Sequence, residues 1–186
     1  IENVNGGGGN DIITGNSAAN TIYGGNGNDT LDGGMGNDRL VGDDGVDTAV
    51  FSSRKNRINL SSIRRQDTGD GKDILIGIEN VNGGGGKDII TGNRSANTLI
   101  GGNDNDSLNG GAGNDVLNGG LGNDRLVGGS GKDTAVFSSS NNTINIATTK
   151  RQKTGDGRDI LIGIENVNGG GGNDTIRGNN AANTLR

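Results

Sequence analysis

The sequence predicts an all-β chain wound as a parallel β-roll, a solenoid (β-helix) of two short parallel sheets joined by tight turns. Three observations carry that prediction. A nine-residue pattern recurs in strict register along most of the chain. Glycine accounts for 40 of the 186 residues, as many as Leu, Ile, Val and Phe together, so no thick aliphatic core can form. The i, i+3, i+4, i+7 apolar spacing of an amphipathic helix is absent.

The pattern starts at Gly6 with GGGGNDIIT, GNSAANTIY, GGNGNDTLD, GGMGNDRLV and GDDGVDTAV. A second run starts at Gly83 and adds one nonapeptide; a third starts at Gly169. A longer period encloses the short one, because IENVNGGGG recurs at Ile1, Ile78 and Ile164. These landmarks divide the chain into a first roll (1–50), a spacer (51–77), a second roll (78–136), a second spacer (137–163) and the start of a third roll (164–186). The chain begins and stops in mid-pattern, and we expect it to be part of a longer protein.

Each element follows from position within the nonapeptide. Positions seven to nine, as in TLD or RLV, suit a very short strand whose central residue points inward. That eighth position holds Ile13, Ile22, Leu31, Leu40 and Ala49, then Ile90, Leu99, Leu108, Leu117, Leu126 and Ala135. Positions one to six are rich in Gly, Asn and Asp, and reverse the chain. Two nonapeptides therefore make one coil of 18 residues, with strands of successive coils ~4.8 Å apart. IENVN keeps the register, placing Glu2, Glu79 and Glu165 at position six and Val4, Val81 and Val167 at position eight. The additional nonapeptide of the second roll is half a coil, so it should move the exit edge by half a turn unless the ends compensate.

The spacers open with FSS and close with TGDGKDILIG or TGDGRDILIG. Asp70, Asp73, Asp156 and Asp159 there read either as a turn re-entering the roll or as an ordinary surface turn. Arg54, Lys55, Arg57, Arg64, Arg65, Lys150, Arg151 and Lys153 read as the solvated edge of a capping strand pair. Phe51 and Phe137 are expected to cap the ends of the core.

Stacking at 18-residue intervals gives the sixth position its chemistry. Asp11 should lie over Asp29 and Asp29 over Asp47; Asp88, Asp106 and Asp124 should share one edge, with Asp115 and Asp133 on the other. Asp38, Asp73, Asp159 and Asp174 complete the acidic set. Columns of carboxylates repel unless neutralised, and the backbone carbonyls of Gly25, Gly27, Gly34, Gly36, Gly111, Gly113, Gly120, Gly122, Gly129 and Gly131 stand beside them. Such an all-oxygen set suits calcium, which takes 6–8 oxygens at 2.3–2.6 Å; magnesium fits less well. Counting stacked turn pairs predicts about five to eight calcium ions. Asn20, Asn97 and Asn183 replace the acid by an amide, and their turns are expected to be metal-free and closed by Asn-to-backbone hydrogen bonds. Asp43 and Asp104 replace turn glycines, and metal sites using those turns are expected to be distorted.

Other classes are excluded by composition. With no Cys and no His, the chain has no disulfide framework, zinc knuckle, imidazole metal site or Ser-His-Asp triad. A net charge of −5 and 2% aromatics argue against nucleic acid as a partner. No apolar run approaches the ~20 residues of a membrane span, and no GxxxxGK[ST] phosphate loop is present; targeting segments are expected to lie outside a chain that starts in mid-pattern. The acidic pairs recur along the chain, whereas an active site is one irregular constellation, so no enzymatic activity is expected within it.

GGNGNDTLD at Gly24 and GGLGNDRLV at Gly119 resemble the glycine-rich nonapeptide of the RTX (repeats-in-toxin), hemolysin-type calcium-binding proteins. The resemblance implies a right-handed parallel β-roll with several calcium ions in its turns. It further implies type I export as a disordered chain that folds in extracellular calcium, as part of a secreted or cell-surface protein. The expected role is a structural module, with calcium and neighbouring domains or further repeat units as partners. Rival expectations are an auxiliary module of a secreted protease, lipase or epimerase, and an adhesin or matrix fibre that self-associates end to end.

Overall fold

The computed structural model describes residues 2–138 and 140–186; Ile1, which opens the first IENVN phrase, and Ser139, in the second spacer, lie outside the described residues. Two faces of short, mostly parallel strands, with no helix among the described residues, enclose one aliphatic column. One face is an unbroken nine-stranded sheet: Ile12–Thr14, Thr30–Asp32, Thr48–Val50, Asn80–Asn82, Thr98–Asn103, Val116–Leu121, Thr134–Val136, Asn166–Asn168 and Thr184–Leu185. The register is the 18-residue step of the repeat, with Ile13 beside Leu31 and Leu99 beside Leu117. Eighth-position side chains fill the interior, and Ile22, Leu31, Leu40, Ile90, Leu99, Leu108 and Leu117 are fully buried. No helix is long and apolar enough to cross a membrane among the described residues.

The opposite face is divided at the spacers. Asn3–Gly8, Thr21–Asn26 and Arg39–Asp44 stack in order, and Lys72–Ile76 pairs directly onto Arg39–Asp44. Arg57–Asn59, which precedes it in the chain, pairs instead with Ile89–Thr91 of the next coil. Gln66–Asp67 runs antiparallel beside Lys72–Ile76, and its Gln66 Oε1 accepts the Asn59 amide. The chain thus builds Arg57–Asn59 ahead of itself, folds back through Gln66–Asp67, and then fills the position it skipped. The second spacer repeats this course: Arg158–Ile162 pairs with Arg125–Ser130, and Thr143–Asn145 with Thr175–Arg177.

Phe51 and Phe137 do not cap core ends. Both are buried inside one continuous cluster that runs from Ile13 past both spacers to Val167. The reason is that each spacer opens with a degenerate nonapeptide: in FSSRKNRIN, Asn56 takes position six and Ile58 the inward position eight, where it is 1% exposed. The TGDG segments re-enter the roll, since Gly71 bridges Gly36 and Gly157 bridges Gly122 in parallel. The half-coil difference between the units is taken up at their entrance. Asn3–Gly8 of the first IENVN lies on the divided face, whereas Asn80–Asn82 and Asn166–Asn168 lie in the nine-stranded sheet, and both spacers leave from that same sheet.

Because the core is one residue thick, single deletions should be costly. Leu108→Ala should lose about 2–5 kcal/mol in thermal or denaturant melts with calcium present, whereas Ile63→Ala, at a side chain 74% exposed, should change stability by less than about 0.5 kcal/mol.

Candidate metal centre

Turns of successive coils lie directly over one another along both edges, and one hydrogen bond repeats between them. On one edge the backbone amide of Asp11 donates to Asp29 Oδ1 (2.8 Å), and that of Asp29 to Asp47 Oδ1 (2.8 Å). The Asp47 amide then donates to Glu79 Oε2 (2.9 Å). Further along, Asn97 donates to Asp115, Asp115 to Asp133, and Asp133 to Glu165 Oε2. On the other edge Asn20 donates to Asp38 and Asp38 to Asp73. After the first spacer the series resumes with Asn56 to Asp88, Asp88 to Asp106, Asp106 to Asp124 and Asp124 to Asp159. Glu79 and Glu165 thus extend the acidic ladder, as their register position allows.

This bond engages one carboxylate oxygen and leaves the other. The Oδ2 atoms of Asp11, Asp29, Asp38, Asp47, Asp88, Asp106, Asp115, Asp124 and Asp133 are buried with no hydrogen-bond partner in the protein. A buried carboxylate oxygen without a donor is costly. The first glycine of each turn shows what faces it: a Cβ on Gly101 would lie 2.7 Å from the Gly119 carbonyl oxygen of the next turn and 2.8 Å from Asp106 Cγ. Carboxylate and carbonyl therefore converge on one gap between turns, and only glycine leaves it open. The ten glycines singled out as carbonyl donors all have φ between 75° and 150°, the left-handed region in which a turn can direct successive carbonyls to one side. Among the described residues no three acidic or other typical metal-ligating side chains gather at one point. A cation between turns would accordingly draw most of its oxygens from backbone, which suits calcium.

Not every predicted acid has the same surroundings. Asp73 Oδ2 accepts the Thr68 hydroxyl, and Asp159 Oδ2 accepts that of Thr154, so these two carboxylates are already satisfied within their own turns. Asp174 is only half-buried and accepts the Asn142 amide at 2.9 Å. In the amide-bearing turns, Asn16 N donates to Asn20 Oδ1, Asn93 N to Asn97 Oδ1 and Asn179 N to Asn183 Oδ1. Their geometry is that of turns closed by the Asn side chain. Asp43 and Asp104 keep the left-handed conformation of the glycines they replace, at φ 68° and 75°. Asp43 also stays in register opposite Gly25; aspartate is one of the few residues that tolerate this region. Asn56 and Asn142 had no place in the predicted site, yet both are buried at position six. The signal was the inward Ile58 and Ile144 two residues later.

Burial raises the pKa of several of the ladder acids. It pushes Asp38 and Asp88 from 3.8 to about 6, and Asp106 and Asp124 to about 7, with neighbouring carboxylates adding to the effect. Asp47, Glu79, Asp115 and Asp133 move upward for the same leading reason. The metal-free roll therefore binds more protons than the unfolded chain.

The family model for the RTX calcium-binding nonapeptide repeat (4 copies) matches residues 1–31, 14–49, 76–108, 100–135 and 162–186, more than half of the chain. No curated protein matches it.

Two predictions follow the geometry. The stabilising contribution of Asp38, Asp88, Asp106 and Asp124 in calcium-free protein is complete below pH about 4 and lost as pH rises through about 6 to 7. Calcium competes with those protons, so calorimetric titrations should show affinity at least about tenfold weaker at pH 5.5 than at 7.5. Asp106 joins the turns on both sides of it, whereas Asp174 receives one turn. Asp106→Asn should therefore weaken calcium binding more than Asp174→Asn in the same titration.

Proposed function

We propose that this chain, which belongs to the RTX calcium-binding nonapeptide repeat family, is a calcium-folded structural module of a secreted or cell-surface bacterial protein. The nine buried, unpartnered Oδ2 atoms carry this reading. In the cell, where free calcium is scarce, the carboxylate columns repel and the one-residue core cannot compensate, so the chain stays unfolded and suits export. Outside, calcium enters between stacked turns. Asp29, Asp47, Asp106, Asp115, Asp124 and Asp133, with carbonyls of the neighbouring turn glycines, would hold the ions, and calcium supplies the positive charge that the columns lack. Binding and folding are then one event, because the ligands converge only in the stacked state.

The module's role is to form a stiff extension between other parts of its parent protein. Any catalysis resides elsewhere in that protein, since this segment repeats its acidic groups instead of gathering them at one point.

Far-ultraviolet circular dichroism tests the reading. In chelator the spectrum should be coil-like; added calcium should produce a β spectrum with a sigmoidal dependence, and magnesium at the same concentration should not. A β spectrum that chelator leaves unchanged would overturn it.

A further inference from the structure

Each spacer creates a seam where the repeating ladder stops. Along the first, the turn ending in Asn56 lies over the turn ending in Asp73, although it precedes it in the chain. Ser52 marks the contact, donating from its amide (3.0 Å) and hydroxyl (2.6 Å) to the Asp70 carboxylate. Ser138 and Asp156 make the same pair in the second seam.

The orientation of the two buried amides is settled by their donors. Asn56 Nδ2 donates to Arg54 O (2.7 Å), Gly83 O (2.9 Å) and Asp88 Oδ1 (3.0 Å). Asn142 Nδ2 donates to Ser140 O (2.6 Å), Gly169 O (2.8 Å) and Asp174 Oδ1 (3.1 Å). Turning either amide over would set its oxygen against three oxygens. Each Oδ1 therefore faces away from its ladder, and both are buried with no hydrogen-bond partner; Asn56 is 0% and Asn142 1% exposed.

What the Asn142 oxygen faces is the second seam; the first seam brings the chain beside Asn56 against the equivalent turn glycine. A Cβ on Gly155 would lie 2.8 Å from Asn142 Oδ1 and 3.2 Å from the Asn141 carbonyl oxygen, and one on Gly69 would lie 2.7 Å from the Lys55 carbonyl oxygen. The second seam thus brings together an orphaned amide oxygen, a backbone carbonyl and the acidic turn of Asp156 and Asp159; the first pairs the equivalent turns, with Asp70 and Asp73 facing the Lys55 carbonyl and Asn56 Oδ1 orphaned beside it. Burial first, and in lesser part the neighbouring carboxylate, hold Asp73 and Asp159 above their ordinary pKa.

We propose that each seam binds a calcium ion, with Asn56 Oδ1 a ligand in the first and Asn142 Oδ1 in the second. The inference rests on the calcium reading above and extends it to turns that carry no nonapeptide acid. A neutral amide contributes less than a carboxylate to a hard cation, so the seam sites fill after the others, at calcium concentrations above the folding midpoint. Their function is to tie the folded-back spacer to the roll.

Crystals of the wild-type chain grown in calcium and soaked in terbium test this by anomalous scattering. A peak about 2.3–2.6 Å from Asn56 Oδ1 and from Asn142 Oδ1 is the expected result. Peaks only between nonapeptide turns, with water or nothing at the two amides, would overturn the seam sites and leave the module's function standing. No peak anywhere would overturn both. In solution, equilibrium dialysis should count two fewer ions for the N56A/N142A protein than for wild type; an unchanged count in a folded variant would also overturn the proposal.

Discussion

The structure depends on a carboxylate used from both ends. At turns such as that of Asp124 one oxygen accepts the amide of the adjacent turn, which sets the stacking distance, and the other is buried without a donor. The first contact makes the coils stack; the second buries a carboxylate oxygen at a cost that a cation would offset. An amide, as at Asn97, closes its own turn through its side-chain oxygen and removes the conflict.

Most of the fold was legible because the repeat is strict. The 18-residue register, the inward eighth position and the edge assignment of Asp88, Asp106 and Asp124 all follow from counting, since a nine-residue half-coil allows each residue one location. The spacers were less legible, and the reason is physical. Their pairing is set by which strand edge is left open, and the sequence carries no local sign that Lys72–Ile76 fills a position skipped by Arg57–Asn59. Thr68 is a similar case: it occupies the place of a first glycine, yet its hydroxyl bonds the very oxygen that elsewhere has no partner.

Exposed asparagines at position five add a second ladder that counting acids does not reveal. Asn28 N donates to Asn10 Oδ1, Val46 N to Asn28 Oδ1 and Asn123 N to Asn105 Oδ1. These neutral bonds run outside the carboxylate columns and bring no charge into the edge. Wherever the stack forms, they add to its register without adding charge.

The reversed order at the spacers bears on how the molecule yields under load. A ribbon wound in strict chain order peels one half-coil at a time, each release independent of the next. At a spacer that sequence fails, because Arg57–Asn59 is anchored to the coil beyond while Lys72–Ile76 is anchored to the coil before. Tension arriving along the chain meets two strands gripping opposite neighbours, joined by Gln66–Asp67 between them. The spacer acts as a knot-free cleat in an otherwise unzippable thread, and a repeat array built this way carries one such stop in every unit.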